Sequence, residues 1–132
     1  MLERLKAFRP DAVIFNGFDE MFLSGLVMGA DGAIGSTYNF MAEKFIAIEK
    51  YFREGNIAAA QTEQRKANNI IEVLLSIGVM PGAKVLCRHL GIDLGECRTT
   101  EKQDGSILAW VEDGCRNLAA EGRIEPSPRQ DS

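Results

Sequence analysis

Apolar residues change their spacing several times along this chain, and each change marks an element. Leu2, Leu5 and Phe8 recur every third residue with Glu3, Arg4 and Lys6 between them, which predicts a short amphipathic helix ended by Pro10. So short a helix is marginal alone and reads as the back half of a longer one. Residues 12–15 (AVIF) form a compact β-branched run bounded by Pro10-Asp11 and Asn16-Gly17. Length and branching predict a strand buried on both faces, as in a parallel sheet. Asp19 and Glu20 open a helix running to about Met28, with Asp19 as its N-cap and Gly29 closing it. Residues 30–35 (ADGAIG) read as a second strand, poor in large side chains. Ser36 and Thr37 are N-cap candidates for the next helix.

From Tyr38 onward the period is helical. Met41, Phe45, Ile48 and Phe52 make one face that stops at Gly55. Asn56 caps the next helix, with Ile57, Ala60, Ala67, Ile70, Ile71, Leu74 and Ile77 inward and a stop at Gly78. Pro81 sits where a first-turn proline belongs, and a third helix runs to about Leu90 before Gly91. An irregular link over 91–103 leads to a helical pattern over 106–120. The last residues, 123–132, have little to bury and read as a disordered tail. Strand, helix, strand, helix within some forty residues is a βαβα unit, whose crossover is right-handed by strong preference. Two short strands cannot make a stable parallel sheet alone, so this inventory calls for neighbours supplied from elsewhere.

Composition narrows the function classes. The chain has 132 residues, 45% of them hydrophobic, enough for one domain with a core. A net charge of −4 leaves no basic excess for a nucleic-acid partner. The start lacks the apolar core of a signal peptide and no apolar run reaches spanning length, so the expectation is a cytoplasmic protein without a membrane partner. Cys87, Cys97 and Cys115 are odd in number without a CxxC spacing, which reads as reduced thiols. Cys87 and His89 lack a second ligand pair for zinc, and Gly29, Gly32 and Gly35 are followed by no GK[ST]. No metal or cofactor is expected.

The stretch FNGFDEMFLSGLVMGADGAIGSTYNFM resembles the late barrel segment of N-acetylneuraminate lyases, in the dihydrodipicolinate synthase/sialate lyase superfamily. The residues that carry the resemblance are N-G-[aromatic]-D-E, then the G-A-D-G-x-I-G-S-T-Y-N block, and later GVMPGAKVLCRHLGIDLGECR. It spans roughly residues 2–98 and fades at Thr99. The resemblance implies an α/β fold: the C-terminal part of a (β/α)8 TIM barrel, its last two β/α units over 1–54, with a C-terminal helical extension over 55–122. It implies a class I aldolase that splits sialic acid into pyruvate and N-acetylmannosamine through a lysine Schiff base. On the same resemblance Gly17, Asp19, Glu20 and Ser36 hold the polyhydroxylated tail of the sugar acid, and Phe18 stands where Tyr is common. The family's Schiff-base lysine and catalytic tyrosine belong to earlier strands that would precede Met1. The partner it implies is therefore a missing N-terminal barrel half or, since the family suggests a tetramer, a homo-oligomer.

Those residue types suit a polyol. Adjacent carboxylates accept several O–H donors, a glycine exposes its backbone, and a hydroxyl both donates and accepts. Plainer roles stand beside these: helix capping for Asp19 and Glu20, an N-cap hydroxyl for Ser36, and a helix-end surface position for His89. Lys44, Lys50, Lys66 and Lys84 fall in predicted helices, away from the strand ends where a Schiff-base lysine would sit. Two alternatives stay open: a non-catalytic helical oligomerisation or binding module, or a piece of another 2-keto-acid aldolase.

Overall fold

The computed structural model describes residues 2–95 and 97. In chain order the elements are α1 (Leu2–Phe8), β1 (Phe15–Asn16), a 3₁₀ turn (Asp19–Met21), α2 (Phe22–Val27), β2 (Gly32–Ala33), α3 (Tyr38–Arg53), α4 (Ile57–Ile77) and α5 (Val79–His89). The chain is α/β and mostly helical. Packing divides it into two units, one ending at Asn68 and the other beginning at Asn69, so α4 starts in the first and ends in the second. The helix expected over 106–120, Cys115 and the tail over 123–132 lie outside the described residues.

In the first unit β1 and β2 pair in parallel, with Phe15 opposite Gly32 and Asn16 opposite Ala33. The ladder extends by one bond at each end, Asp31 N to Ile14 O and Ile34 N to Asn16 O, both 2.9 Å. Both strands are shorter than the apolar runs predicted. Val13 is 69% exposed and Phe15 60%, so the expectation of a strand buried on both faces is not met. A parallel strand is covered only where neighbouring strands and crossover helices lie against it, and among the described residues each strand has one strand partner. At the start of this pair, Lys6 Nζ of α1 donates to Asp31 Oδ2 (2.6 Å) and to Ala12 O (2.8 Å), and Asp31 Oδ2 also accepts from Ile14 N (2.7 Å).

Apolar packing in this unit is carried mainly by α2 and α3, with Ala60 and Ala67 of α4 also buried. Phe22, Leu23 and Leu26 of α2 and Phe40, Met41, Phe45 and Ile48 of α3 are buried. The rings of Phe22, Tyr38 and Phe45 meet edge to face, with centroids 4.3–6.2 Å apart. Met41 breaks α3 near its start (φ −144°, ψ 37°), so Tyr38 and Phe40 sit on a separate first turn. Asn56 caps α4 as expected, its Oδ1 accepting from Ala59 N at 3.1 Å. Gly29, Gly55 and Gly91 all close helices with positive φ.

Three further details depart from the sequence reading. Ile57 is exposed rather than inward, because it occupies the first position of α4. Pro81 lies third in α5, still within the turn whose N–H groups lack intrahelical partners. The helix expected from Asp19 to Met28 is split into the 3₁₀ turn and α2.

In the second unit the end of α4 buries Ile70, Ile71 and Leu74, and α5 buries Ala83, Val85, Leu86 and Cys87. Among the described residues no single helix is long and apolar enough to cross a membrane.

Ile48 is fully buried in α3. Ile48→Ala should therefore cost about 2–5 kcal/mol of stability, read as a lower urea midpoint at an unchanged slope.

Candidate functional site

The four predicted site residues gather at the carboxyl ends of β1 and β2. Gly17 leaves β1 directly, exposed and with open space around its Cα. The next residues are held by Asn16, whose Nδ2 donates to Phe18 O at 2.5 Å. Asn16 is itself packed against Gly25 of α2, where a Cβ would come within 2.8 Å of its Oδ1. Asp19 and Glu20 follow on the 3₁₀ turn, and Ser36 lies between β2 and α3.

Asp19 is only 6% exposed, and its carboxylate points at the loop after β2. Its Oδ2 accepts from Thr37 N (3.1 Å) and from Thr37 Oγ1 (2.6 Å). The carboxylate lies so close over Gly35 that a Cβ there would fall 1.7 Å from Asp19 Oδ1. Only glycine fits beneath it. The expectation that Asp19 caps its own helix is not met: Phe18 and Met21 hold the cap positions, and neither turn is closed by a side chain. The carboxylate is instead committed to the neighbouring strand's loop. Likewise Ser36 and Thr37 do not cap α3 through their hydroxyls, because that of Thr37 is turned to Asp19.

Glu20 and Ser36 differ from Asp19 in being partly exposed. Among the described residues neither the Glu20 carboxylate nor the Ser36 hydroxyl makes a hydrogen bond within the protein, although Ser36 O accepts from Asn39 Nδ2 at 2.8 Å. One carboxylate, then, holds two loops together while the other and a hydroxyl keep their donors and acceptors open. That combination suits a ligand rich in hydroxyl groups.

Four residues of this region were not read as site residues from the sequence. Thr37, expected only as an N-cap candidate, donates to Asp19, and Tyr38 stands beside it. Tyr38 Oη and Asp19 Oδ1 are both buried and without a hydrogen-bond partner among the described residues. Burial raises the Tyr38 hydroxyl well above its ordinary value, and the neighbouring carboxylates Asp19 and Glu20 raise it further. Gln64 and Asn68 reach the same turn from α4. Gln64 Nε2 donates to Asp19 O (3.1 Å) and Asn68 Oδ1 (2.8 Å), Gln64 Oε1 accepts from Leu23 N (2.9 Å), and Asn68 Nδ2 donates to Glu20 O (3.3 Å). The signal for Gln64 was present: it is a polar residue on the stripe of Ala60, Ala67 and Ile71, at core register.

A separate cavity of about 230 Å³, lined by Phe22, Leu26, Ala33, Tyr38, Phe45 and Ile46 among others, contains none of the four predicted site residues. Each lysine among the described residues lies on a helix: Lys6 on α1, Lys44 and Lys50 on α3, Lys66 on α4, Lys84 on α5. His89 is exposed at the end of α5. Among the described residues no three His, Cys, Asp or Glu side chains are grouped to hold a metal. Cys87 and Cys97 are free thiols, and burial raises the pKa of Cys87.

Residues 1–102 match the Dihydrodipicolinate synthetase family. The chain belongs to that family. An N-acetylneuraminate lyase of Rhizobium meliloti (strain 1021) is 42% identical over 127 residues, covering 87% of this chain and 42% of the relative. The crystal structure of N-acetylneuraminate lyase from Fusobacterium nucleatum complexed with pyruvate superposes with a TM-score of 0.81 at 35% identity. So does CdNal of Clostridium difficile in complex with mannosamine, with a TM-score of 0.81 at 32% identity. Each structural match covers 88% of this chain and 40% of the other. This family member thus spans about two fifths of the length of the relatives it matches.

Two outcomes follow from the geometry. Thr37→Val removes the hydroxyl donor to a buried carboxylate and should cost about 1.5–3 kcal/mol in urea unfolding. Tyr38 has its pKa raised in the fold, so its contribution to stability is complete below the ordinary tyrosine value of 10.0 and is lost as pH rises past it. Ultraviolet titration should show a phenolate that forms only above that value, and Tyr38→Phe should remove this late component.

Proposed function

We propose that this chain forms the last two β/α units and the helical extension of an N-acetylneuraminate lyase-type (β/α)8 aldolase, and that it supplies the part of the site that holds the sugar acid's tail. The supporting observation is that Gly17, Asp19, Glu20 and Ser36 gather at the carboxyl ends of two paired parallel strands, where α/β folds place their ligands. In a chain related to N-acetylneuraminate lyases, that placement favours sialic acid over a nucleotide or a peptide. Asp19 joins the loops after β1 and β2, while Glu20 and Ser36 offer an acceptor and a hydroxyl to the substrate's O–H groups.

The bond-breaking step needs a desolvated lysine whose amine condenses with the substrate's 2-keto group, expelling water. As a base takes the C4 hydroxyl proton, the C3–C4 electrons pass to the cationic nitrogen and N-acetylmannosamine leaves; the enamine left on the lysine gains a proton at carbon and is hydrolysed to pyruvate and the free amine. That lysine and its tyrosine partner come from the rest of the barrel, provided by an N-terminal half. No cofactor is required. A second reading, a non-catalytic binding module, is favoured by one observation: every lysine among the described residues sits on a helix and none at a strand end.

Borohydride reduction in the presence of pyruvate separates the two. The chain alone should retain no pyruvate adduct, whereas co-expression with the N-terminal half of the Rhizobium meliloti relative should yield lyase activity and an adduct on the partner. An adduct on this chain would show that it holds the nucleophile itself, and a stable pair without activity would favour the binding module. In an active pair, Glu20→Gln should raise KM for N-acetylneuraminate about tenfold or more, as loss of a charged hydrogen bond does, and leave KM for pyruvate in the reverse reaction little changed.

A further inference from the structure

The helix predicted from Asp19 to Met28 is interrupted at one peptide pair, and a side chain fills the interruption. In a continuous α-helix Leu23 N would donate to Asp19 O, its partner four residues back. Here Asp19 O instead accepts from Phe22 N, closing a 3₁₀ turn, and Leu23 N is released. The Gln64 amide stands between the separated groups: its Oε1 takes the Leu23 N–H (2.9 Å) and its Nε2 donates to Asp19 O (3.1 Å). The side-chain amide replaces the missing backbone bond with one acceptor and one donor. Its second N–H goes to Asn68 Oδ1 (2.8 Å), and Asn68 in turn donates to Glu20 O (3.3 Å). Gln64 is 8% exposed and every N–H and its carbonyl are engaged, so removing it would strand buried polar groups.

We propose that Gln64 and Asn68 of α4 are positioning residues, which hold the Asp19–Glu20 segment as a 3₁₀ turn apart from α2 and so aim Glu20 at the substrate's tail. This inference rests on the proposed reading of that turn as the tail-binding segment. A 3₁₀ turn advances about 120° per residue and an α-turn about 100°, so a rejoined helix would rotate both acidic side chains away from their present directions. Tail recognition is then tuned by a helix that follows the strands in sequence.

Two measurements test this. In isotope-labelled 132-residue chain, a trans-hydrogen-bond correlation between the Leu23 amide nitrogen and the Gln64 side-chain carbonyl carbon is expected. Its absence from a spectrum in which Leu23 is resolved, or its replacement by a correlation to the Asp19 carbonyl, overturns the inserted amide. In the active co-expressed pair, Gln64→Leu should raise KM for N-acetylneuraminate about five- to tenfold, with kcat and the KM for pyruvate little changed. Asn68→Leu leaves the Gln64–Leu23 bond in place and should move the same KM, so it serves where Gln64→Leu does not fold. Loss of kcat and of both KM values together, or a change in thermal stability alone, overturns the positioning role. An inactive wild-type pair overturns the lyase reading, and the nuclear magnetic resonance result then decides by itself whether the inserted amide exists.

Discussion

The bond from the Asp19 carboxylate to Thr37 is the constraint on which the site depends. Two strands of two residues each pair through only a few backbone bonds, too few to fix the loops that leave them. A charged acceptor buried between those loops, with a backbone and a hydroxyl donor from the facing side, sets their separation instead. Burying a carboxylate is costly unless it is hydrogen-bonded, so the arrangement tolerates little slack. Gly35 follows from it directly, since the carboxylate occupies the space a side chain would need.

Much of this architecture was legible in the residues, and what was not has physical causes. The helices from Tyr38 onward, the glycines that close them and the Asn56 cap are local features, written in spacing and in single-residue preferences. The course of Asp19 was not. In sequence an acidic residue ahead of an apolar run reads as a cap, because capping is the nearest use for its carboxylate. The competing donor, Thr37, lies 18 residues away and becomes available only once the strands pair. The break in the helix after Asp19 was hidden for the same reason, since the amide that fills it, Gln64, lies 41 residues beyond Leu23. Val13 and Phe15 were expected to be buried because their composition suits a strand flanked on both sides, and the described residues supply one flank.

The gathering of Gly17, Glu20 and Ser36 was anticipated from the motif that carries the family resemblance. Their roles separate in the fold in a way the motif does not show. Asp19 is spent on structure, while Glu20 and Ser36 keep their polar groups open. Membership of the Dihydrodipicolinate synthetase family gives this division a context, in which a rigid joint between two strand ends presents the groups next to it.

The sequence separations of these bonds also bear on the order in which the unit folds. The β1–β2 ladder and the Asp19–Thr37 joint close loops of about the same length, 17 and 18 residues, whereas the links from Gln64 and Asn68 span 41 to 48. Loop-closure entropy rises with the logarithm of length, so the longer links cost roughly 0.7–0.9 kcal/mol more to close. They also require α4 to be formed and in place. Loop closure alone thus favours early formation of the strand pair and the Asp19–Thr37 joint, with the links from Gln64 and Asn68 to the turn closing later. The same order run backwards makes that turn the first part of the unit to loosen, which places the lowest local stability at Glu20 and its neighbours.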